Sequence, residues 1–123
     1  MKKLELSNNT KLESLTCDGC KLKVLDISKN KKLVKLSCSQ NQLALLDLSR
    51  NPELNYLDCH SNHLTTIEML SCFHLQKIDC QNNELTELNF RNMHELSELL
   101  YDENLVTDLI LPEETCVVIN DME

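Results

Sequence analysis

The sequence is short of the residues that usually build an irregular globule. In 123 residues there is no Trp, two Phe, two Tyr, two Pro and a single Gly. A core so poor in aromatics must be filled by repeated aliphatic side chains, which favours a stacked architecture. One Gly cannot serve every turn, so turns fall to Asn and Ser. No apolar run approaches the roughly 18 residues that span a bilayer, and no membrane partner is expected. The basic tip Met1-Lys2-Lys3-Leu4 is followed by Glu5 and Asn8-Asn9, which break any secretory apolar stretch. The expectation is a cytoplasmic chain, with secretion by a signal-less route left open. Positive charge is scarce in one half only. Residues 51–123 carry Lys77 and Arg91 against fifteen Asp/Glu (net −13), whereas residues 1–50 carry ten Lys/Arg against five Asp/Glu (net +5). Most of such a surface would repel phosphate, and the lysines are scattered without interleaved aromatics, so nucleic acid is not an expected partner.

What the sequence has is leucine, 25 residues, and asparagine, 13. It also has seven cysteines, an odd number for a disulfide framework, and Cys17, Cys38, Cys59 and Cys80 recur every 21 residues. They count a repeat. Rows of 21 begin at Leu12, Leu33, Leu54, Leu75 and Leu96. Each row then places Leu15, Leu36, Leu57, Ile78 or Leu99, followed by the four cysteines and Tyr101. The second half-row starts at Leu22, Leu43, Leu64, Leu85 or Val106 and continues through Leu25, Leu46, Ile67, Leu88 or Leu109. It closes on Ile27, Leu48, Met69, Phe90 or Leu111. All thirty positions are apolar, Cys or Tyr, with no insertion. The chain therefore divides into a partial repeat at 1–11, five repeats from Leu12 to about 114, and a C-terminal cap at about 112–123, all in one domain. The cap follows from Pro112 and the polar last residues, after the pattern stops.

Within each row Leu36 and Cys38 alternate with Lys35 and Ser37, which is strand periodicity. A strand this short cannot bury one face alone, but copies stacked 4.7–4.9 Å apart make a continuous apolar column. Asn9, Asn30 and Asn51 in one half, and Asn41, Asn62, Asn83 and Asn104 in the other, sit where the chain must turn. Inward amides there can satisfy backbone groups and ladder with one another. Cys20, Cys72 and Met93 replace this Asn, so those turns must satisfy the backbone otherwise. A half-row holding a strand and a turn leaves no room for an α-helix of ordinary length.

The unit LxxLxCxxNx followed by LxxLDLSxNxx resembles the leucine-rich repeat family, in its nested 21-residue bacterial class. The resemblance covers about residues 4–111 and is clearest in the row Leu33–Asn51. It implies a repeat solenoid, right-handed and nominally α/β, with parallel β strands on one or both flanks; with the half-row lengths, the expectation is strands on both flanks and little helix. It also implies binding of another macromolecule rather than catalysis.

The chemistry-bearing residues have plain structural readings. Cys17-Asp-Gly-Cys20 has the CxxC spacing of zinc and redox sites, yet both thiols occupy inward repeat positions and no second CxxC exists. Cys17, Cys38, Cys59 and Cys80 are expected to form a buried, reduced structural spine. Among Cys59/His60/His63 and Cys72/His74, Cys59 points inward while His60 lies in the following turn and His63 on the outer side; convergence on one ion is not expected, and no metal and no cofactor is expected. No Ser/His/Asp or paired-carboxylate constellation emerges, and a tube packed with Leu offers no pocket, so no catalytic residues are assigned.

Function is left to the outward strand positions. On the first flank these are Ser14/Thr16, Lys35/Ser37, Tyr56/Asp58, Lys77/Asp79 and Glu98/Leu100. Mixed charge around Tyr56, with His60 in the adjoining turn, makes Lys35, Tyr56, Asp58, His60, Lys77 and Asp79 the expected partner-binding set. On the second flank Glu5, Asp26, Asp47 and Glu68 would form a ladder of like charge, which the LDLS figure of the family explains without a ligand. Calcium there would need Gly-rich turns that are missing. The expected function is a protein-binding module with no catalysis. The alternatives are a self-assembling unit, joined head to tail or through an edge strand at Lys3–Leu6, and an acidic effector or immunity-type neutraliser of a basic protein. A monomer or a weak homo-oligomer through the poorly capped N-terminal end is expected.

Overall fold

The computed structural model describes residues 3–120. The tips of the expected partial repeat and cap, residues 1–2 and 121–123, lie outside the described residues. The chain winds into a β-solenoid of about five turns with parallel strands and, among the described residues, no helix. The first flank is one six-stranded parallel sheet. Its strands are β1 (Ser14–Thr16), β2 (Lys35–Ser37), β4 (Tyr56–Asp58), β6 (Lys77–Asp79), β8 (Glu98–Leu100) and β10 (Val118–Ile119), in that spatial order. The other strands are β3 (Leu45–Asp47), β5 (Thr66–Glu68), β7 (Glu87–Asn89) and β9 (Asp108–Ile110). The 21-residue period is the register itself: Lys35 pairs with Tyr56 and Tyr56 with Lys77. The last step is one residue shorter, Val118 pairing with Glu98.

The thirty repeat positions all lie in the core or pack against it. Those only partly buried are Leu12 and Leu15 at one end, Tyr101, Val106, Leu109 and Leu111 at the other, and Ile67. End coils have a stacking neighbour on one side only, which accounts for six of the seven. Ile67 is only partly buried for another reason: the second flank is broken. It consists of two separate pairs, β3–β5 and β7–β9, with no pairing between β5 and β7.

That break corrects several expectations. Residues 24–26 and Lys3–Leu6 form no strand, so the open edge of the first sheet is β1, and an edge strand at Lys3–Leu6 is not formed. Of the expected acidic ladder only Asp47 and Glu68 are strand partners. Glu5, Asp26 and Asp47 itself also serve their own turns. Glu5 accepts from Ser7 N–H, Asp26 from Ser28 N–H and hydroxyl, and Asp47 from Ser49 N–H, at 2.6 to 3.2 Å. The LDLS figure is thus a carboxylate closing a tight turn two residues on.

The Asn residues stitch coils through the backbone rather than through one another. Asn62 Nδ2 donates to Cys38 O of the preceding coil and to Cys59 O of its own, while its Oδ1 accepts from Leu43 N–H. Asn41 and Asn83 repeat the arrangement. Asn30 and Asn51 donate in the same way, but their buried Oδ1 atoms have no donor. Asn9 and Asn104 are exposed and take no such part. In the slot taken by Cys72, the thiol stands in for the amide: its Sγ lies 3.7 Å from Leu48 O and 3.6 Å from Asn51 O. Turns depart from expectation too. The same row position is left-handed in four coils, at Gly19, Gln40, Ser61 and Asn82, with φ between 56° and 63°. Only the first coil gives it to glycine, the residue with no steric cost there.

Candidate functional site

Strand pairing sets five of the six expected partner-binding residues on three adjacent strands. Lys35, Tyr56 and Lys77 align across β2, β4 and β6, and Asp58 aligns with Asp79. His60 follows β4 by two residues. A parallel sheet of two-residue outward periodicity has no freedom to place them elsewhere. Lys35 is exposed, while the other five are half-buried. Lys77 Nζ sits 5.8 Å from the centre of the Tyr56 ring and 2.9 Å from Glu98 Oε2. The hydrogen bond and charge of Glu98 hold the Lys77 ammonium above its ordinary range. Burial, then the charge of Asp58, pushes the Tyr56 phenol up.

His60 Nδ1 lies 2.5 Å from Asp58 Oδ1 and 3.9 Å from Asp79 Oδ2. Burial alone would depress the imidazole. The hydrogen bond to Asp58, and the charges of Asp58, Asp79 and Asp18, outweigh it and raise the His60 pKa. Asp79 is also raised, by burial first and by the charge of Asp58, against the Gln81 N–H that donates to it. The convergence of Asp58, His60 and Asp79 was not visible as a three-way cluster in the sequence. His60 and Asp58 are two apart, but Asp79 arrives only through the 21-residue register.

The other candidate ligands do not converge. Cys59 is buried in the core, His63 faces Glu84 at 3.7 Å, and His74 faces Glu95 at 2.6 Å. Cys17, Cys38, Cys59 and Cys80 form a buried file at strand spacing, each 5% exposed or less. Burial holds Cys17 up at about 11 and raises the other three further. Cys20 is half-buried and Cys116 exposed, and all seven thiols are free.

The expectation of no pocket needs a correction at the surface. Where β5 and β7 fail to pair, an open groove of about 300 Å³ is lined by Thr66, Ile67, Glu68, Leu70, Glu87 and Asp108 among others. A second, of about 500 Å³, lies beside Asn82, Asp102 and Asn120. Neither contains a histidine or cysteine.

Among solved structures, one described as the "Functional domain of InlJ from Listeria monocytogenes includes a cysteine ladder" matches with a TM-score of 0.80 and 32% identity. The chain has the fold of a leucine-rich-repeat solenoid. The match covers 91% of the chain and 27% of the InlJ structure, so the chain spans about a quarter of that structure's length. No protein-family model matches the chain, and no curated protein does. The likeness shows the fold, and a fold alone does not assign a function.

Proposed function

We propose that this leucine-rich-repeat solenoid is a protein-interaction module that binds its partner on the first flank, with no catalytic step. The observation that carries the reading is the contrast between an inward face that repeats and an outward face that does not. Register partners there run Lys35, Tyr56, Lys77 and then Glu98, and alongside them Ser37, Asp58, Asp79 and then Leu100. A half-buried aromatic among opposite charges, on a rigid sheet, is the composition of an interface centre. The InlJ likeness supports a binding role and a bacterial source. A reducing, cytoplasmic compartment belongs to the same reading and rests on seven thiols with no disulfide needed for the fold.

The test compares capture from a native bacterial lysate by the intact chain and by a Tyr56→Ala/Lys77→Glu double variant. A partner that docks here should bind the variant weaker by about 30-fold, the effect of losing roughly 2 kcal/mol. Unchanged affinity for the captured protein would place the interface elsewhere. A strongly basic partner released by modest salt would instead favour the neutraliser reading, which the acidic half motivates.

A second reading has its own observation. The first sheet ends in β10, whose Val118 and Ile119 are 50% and 37% exposed, and begins at the unpaired edge of β1. Head-to-tail stacking of a basic end on an acidic end would cover both. Light scattering of this chain at low and high salt decides it: a monomer throughout removes the assembly reading.

A further inference from the structure

The junction between the third and fourth coils carries a charge arrangement that the repeat does not demand. At the outward position closing each first-flank strand the chain has Thr16, Ser37, Asp58, Asp79 and Leu100. At the position after each of Cys17, Cys38, Cys59, Cys80 and Tyr101 it has Asp18, Ser39, His60, Gln81 and Asp102. Two carboxylates and an imidazole therefore meet at one place only, at the ends of β4 and β6.

The other acidic residues of these positions show how the fold normally satisfies such a group. Asp18 accepts from Ser37 hydroxyl and Ser39 N–H of the next coil at 2.8 Å. Asp102 accepts from Asn82 and Asn83 N–H at 2.9 and 3.1 Å. In both, each carboxylate oxygen has a protein donor. Asp58 and Asp79 differ. Asp58 Oδ1 accepts from His60 N–H at 3.2 Å and Asp79 Oδ1 from Gln81 N–H at 3.1 Å, which fixes the orientation of both groups. Among the described residues no hydrogen bond reaches the second oxygen of either. Among the described residues no Lys or Arg pairs with either, and the neighbouring Lys77 is turned to Glu98. Two half-buried carboxylates thus share one imidazole, and each keeps an acceptor oxygen free for a further cation.

One ligand atom from each of Asp58, His60 and Asp79 lies within 4.8 Å of the others. Donors around a single zinc ion at about 2.0–2.2 Å are separated by roughly 3–4 Å, so small side-chain rotations close the set. We propose that Asp58, His60 and Asp79 bind a divalent first-row transition ion, of the zinc or cobalt kind, with water completing the coordination. The mixed nitrogen and oxygen donors favour such an ion over calcium or magnesium, which take oxygen alone. The backbone N–H groups of His60 and Gln81 act as the outer shell that aims the carboxylates. This site stands whether or not the flank binds a protein.

The test uses zinc and cobalt(II) alone, on the full chain with Cys20→Ser and Cys116→Ser to remove the accessible thiols. Calorimetry should show one zinc per chain. His60→Ala and, separately, Asp79→Asn should each weaken it by at least about tenfold. His63→Ala and His74→Ala, which alter histidines outside the cluster, should leave it unchanged. Circular dichroism confirms that each variant is folded, and two independent ligand variants guard against one that is not. Cobalt(II) should give only weak visible bands. The proposal is overturned by an absence of binding at millimolar zinc, by affinity indifferent to both ligand variants, or by the intense near-ultraviolet band of cobalt thiolate.

Discussion

At the scale of single residues, a few buried amides tie successive coils together through their backbones. Asn62 supplies donors to two coils and accepts the Leu43 N–H, all in the interior. Asn62→Ala would strand those backbone groups, and each buried orphan costs about 1–3 kcal/mol. Asn51 is the instructive contrast. Its Oδ1 has no donor, and the fold already places Cys72 in the equivalent slot one coil later, with its thiol toward the same two kinds of carbonyl. Asn51→Cys should therefore cost about 1 kcal/mol or less, while Asn62→Ala costs about 2–4 kcal/mol. Urea unfolding of the two variants compares them directly. Equal losses would mean that the buried bonds of Asn62 contribute no more than a thiol in the same slot can replace. The inward role of Asn was legible because a short amide offers two donor hydrogens and a separate acceptor oxygen at a crowded turn. The substitution of thiol for amide was not, since a cysteine reads equally well as a small hydrophobe.

At the scale of elements, the first flank was legible and the second only partly. Leu45-Leu46-Asp47 forms a strand whereas Val24-Leu25-Asp26, with the same apolar-Leu-Asp pattern, does not. Whether two such segments pair depends on how closely adjacent coils approach on that side, a matter of curvature that no local pattern encodes. The cluster of Asp58, His60 and Asp79 was hidden for a related reason: its members were each visible as outward residues, but their convergence is a property of register. The turn carboxylates carry a testable consequence of the same local geometry. Hydrogen bonds from Ser49 hydroxyl and N–H hold the Asp47 carboxyl below its ordinary range, and Asp26 and Glu5 are held down likewise by Ser28 and Ser7. A depressed folded-state pKa stabilises the fold above the unfolded-state value, and the contribution is lost as pH falls through the folded-state value. Asp47→Ala should thus be less stable than the parent at neutral pH. The difference should shrink once the pH is well below the ordinary aspartate range. Urea midpoints at the two pH values measure it, and a constant difference would assign the effect to packing instead.

At the scale of the whole molecule, stacking makes the protein nearly one-dimensional, so its stability is distributed coil by coil. Each coil contributes its own packing face and one interface to the next. A terminal coil therefore opens with less loss than a central one. The cysteine file turns this into a measurement, because it places one buried thiol in each of four successive coils. These thiols are protonated and inaccessible in the folded state, so a thiol reagent reaches them only when a coil opens. In this 123-residue chain Cys116, exposed, and Cys20, half-buried, should react first. Cys17 should follow, since it belongs to the first full coil and retains 5% exposure. Cys59, enclosed by coils on both sides and wholly buried, should be slowest. Mass spectrometry of tryptic or partial digests after timed labelling resolves the order. Raising the reagent concentration tells whether opening or reaction limits each site. If Cys17, Cys38, Cys59 and Cys80 instead label at one common rate, the coils open together. The solenoid would then be a single cooperative unit, held as strongly by its intercoil amides as a globular core is by its packing.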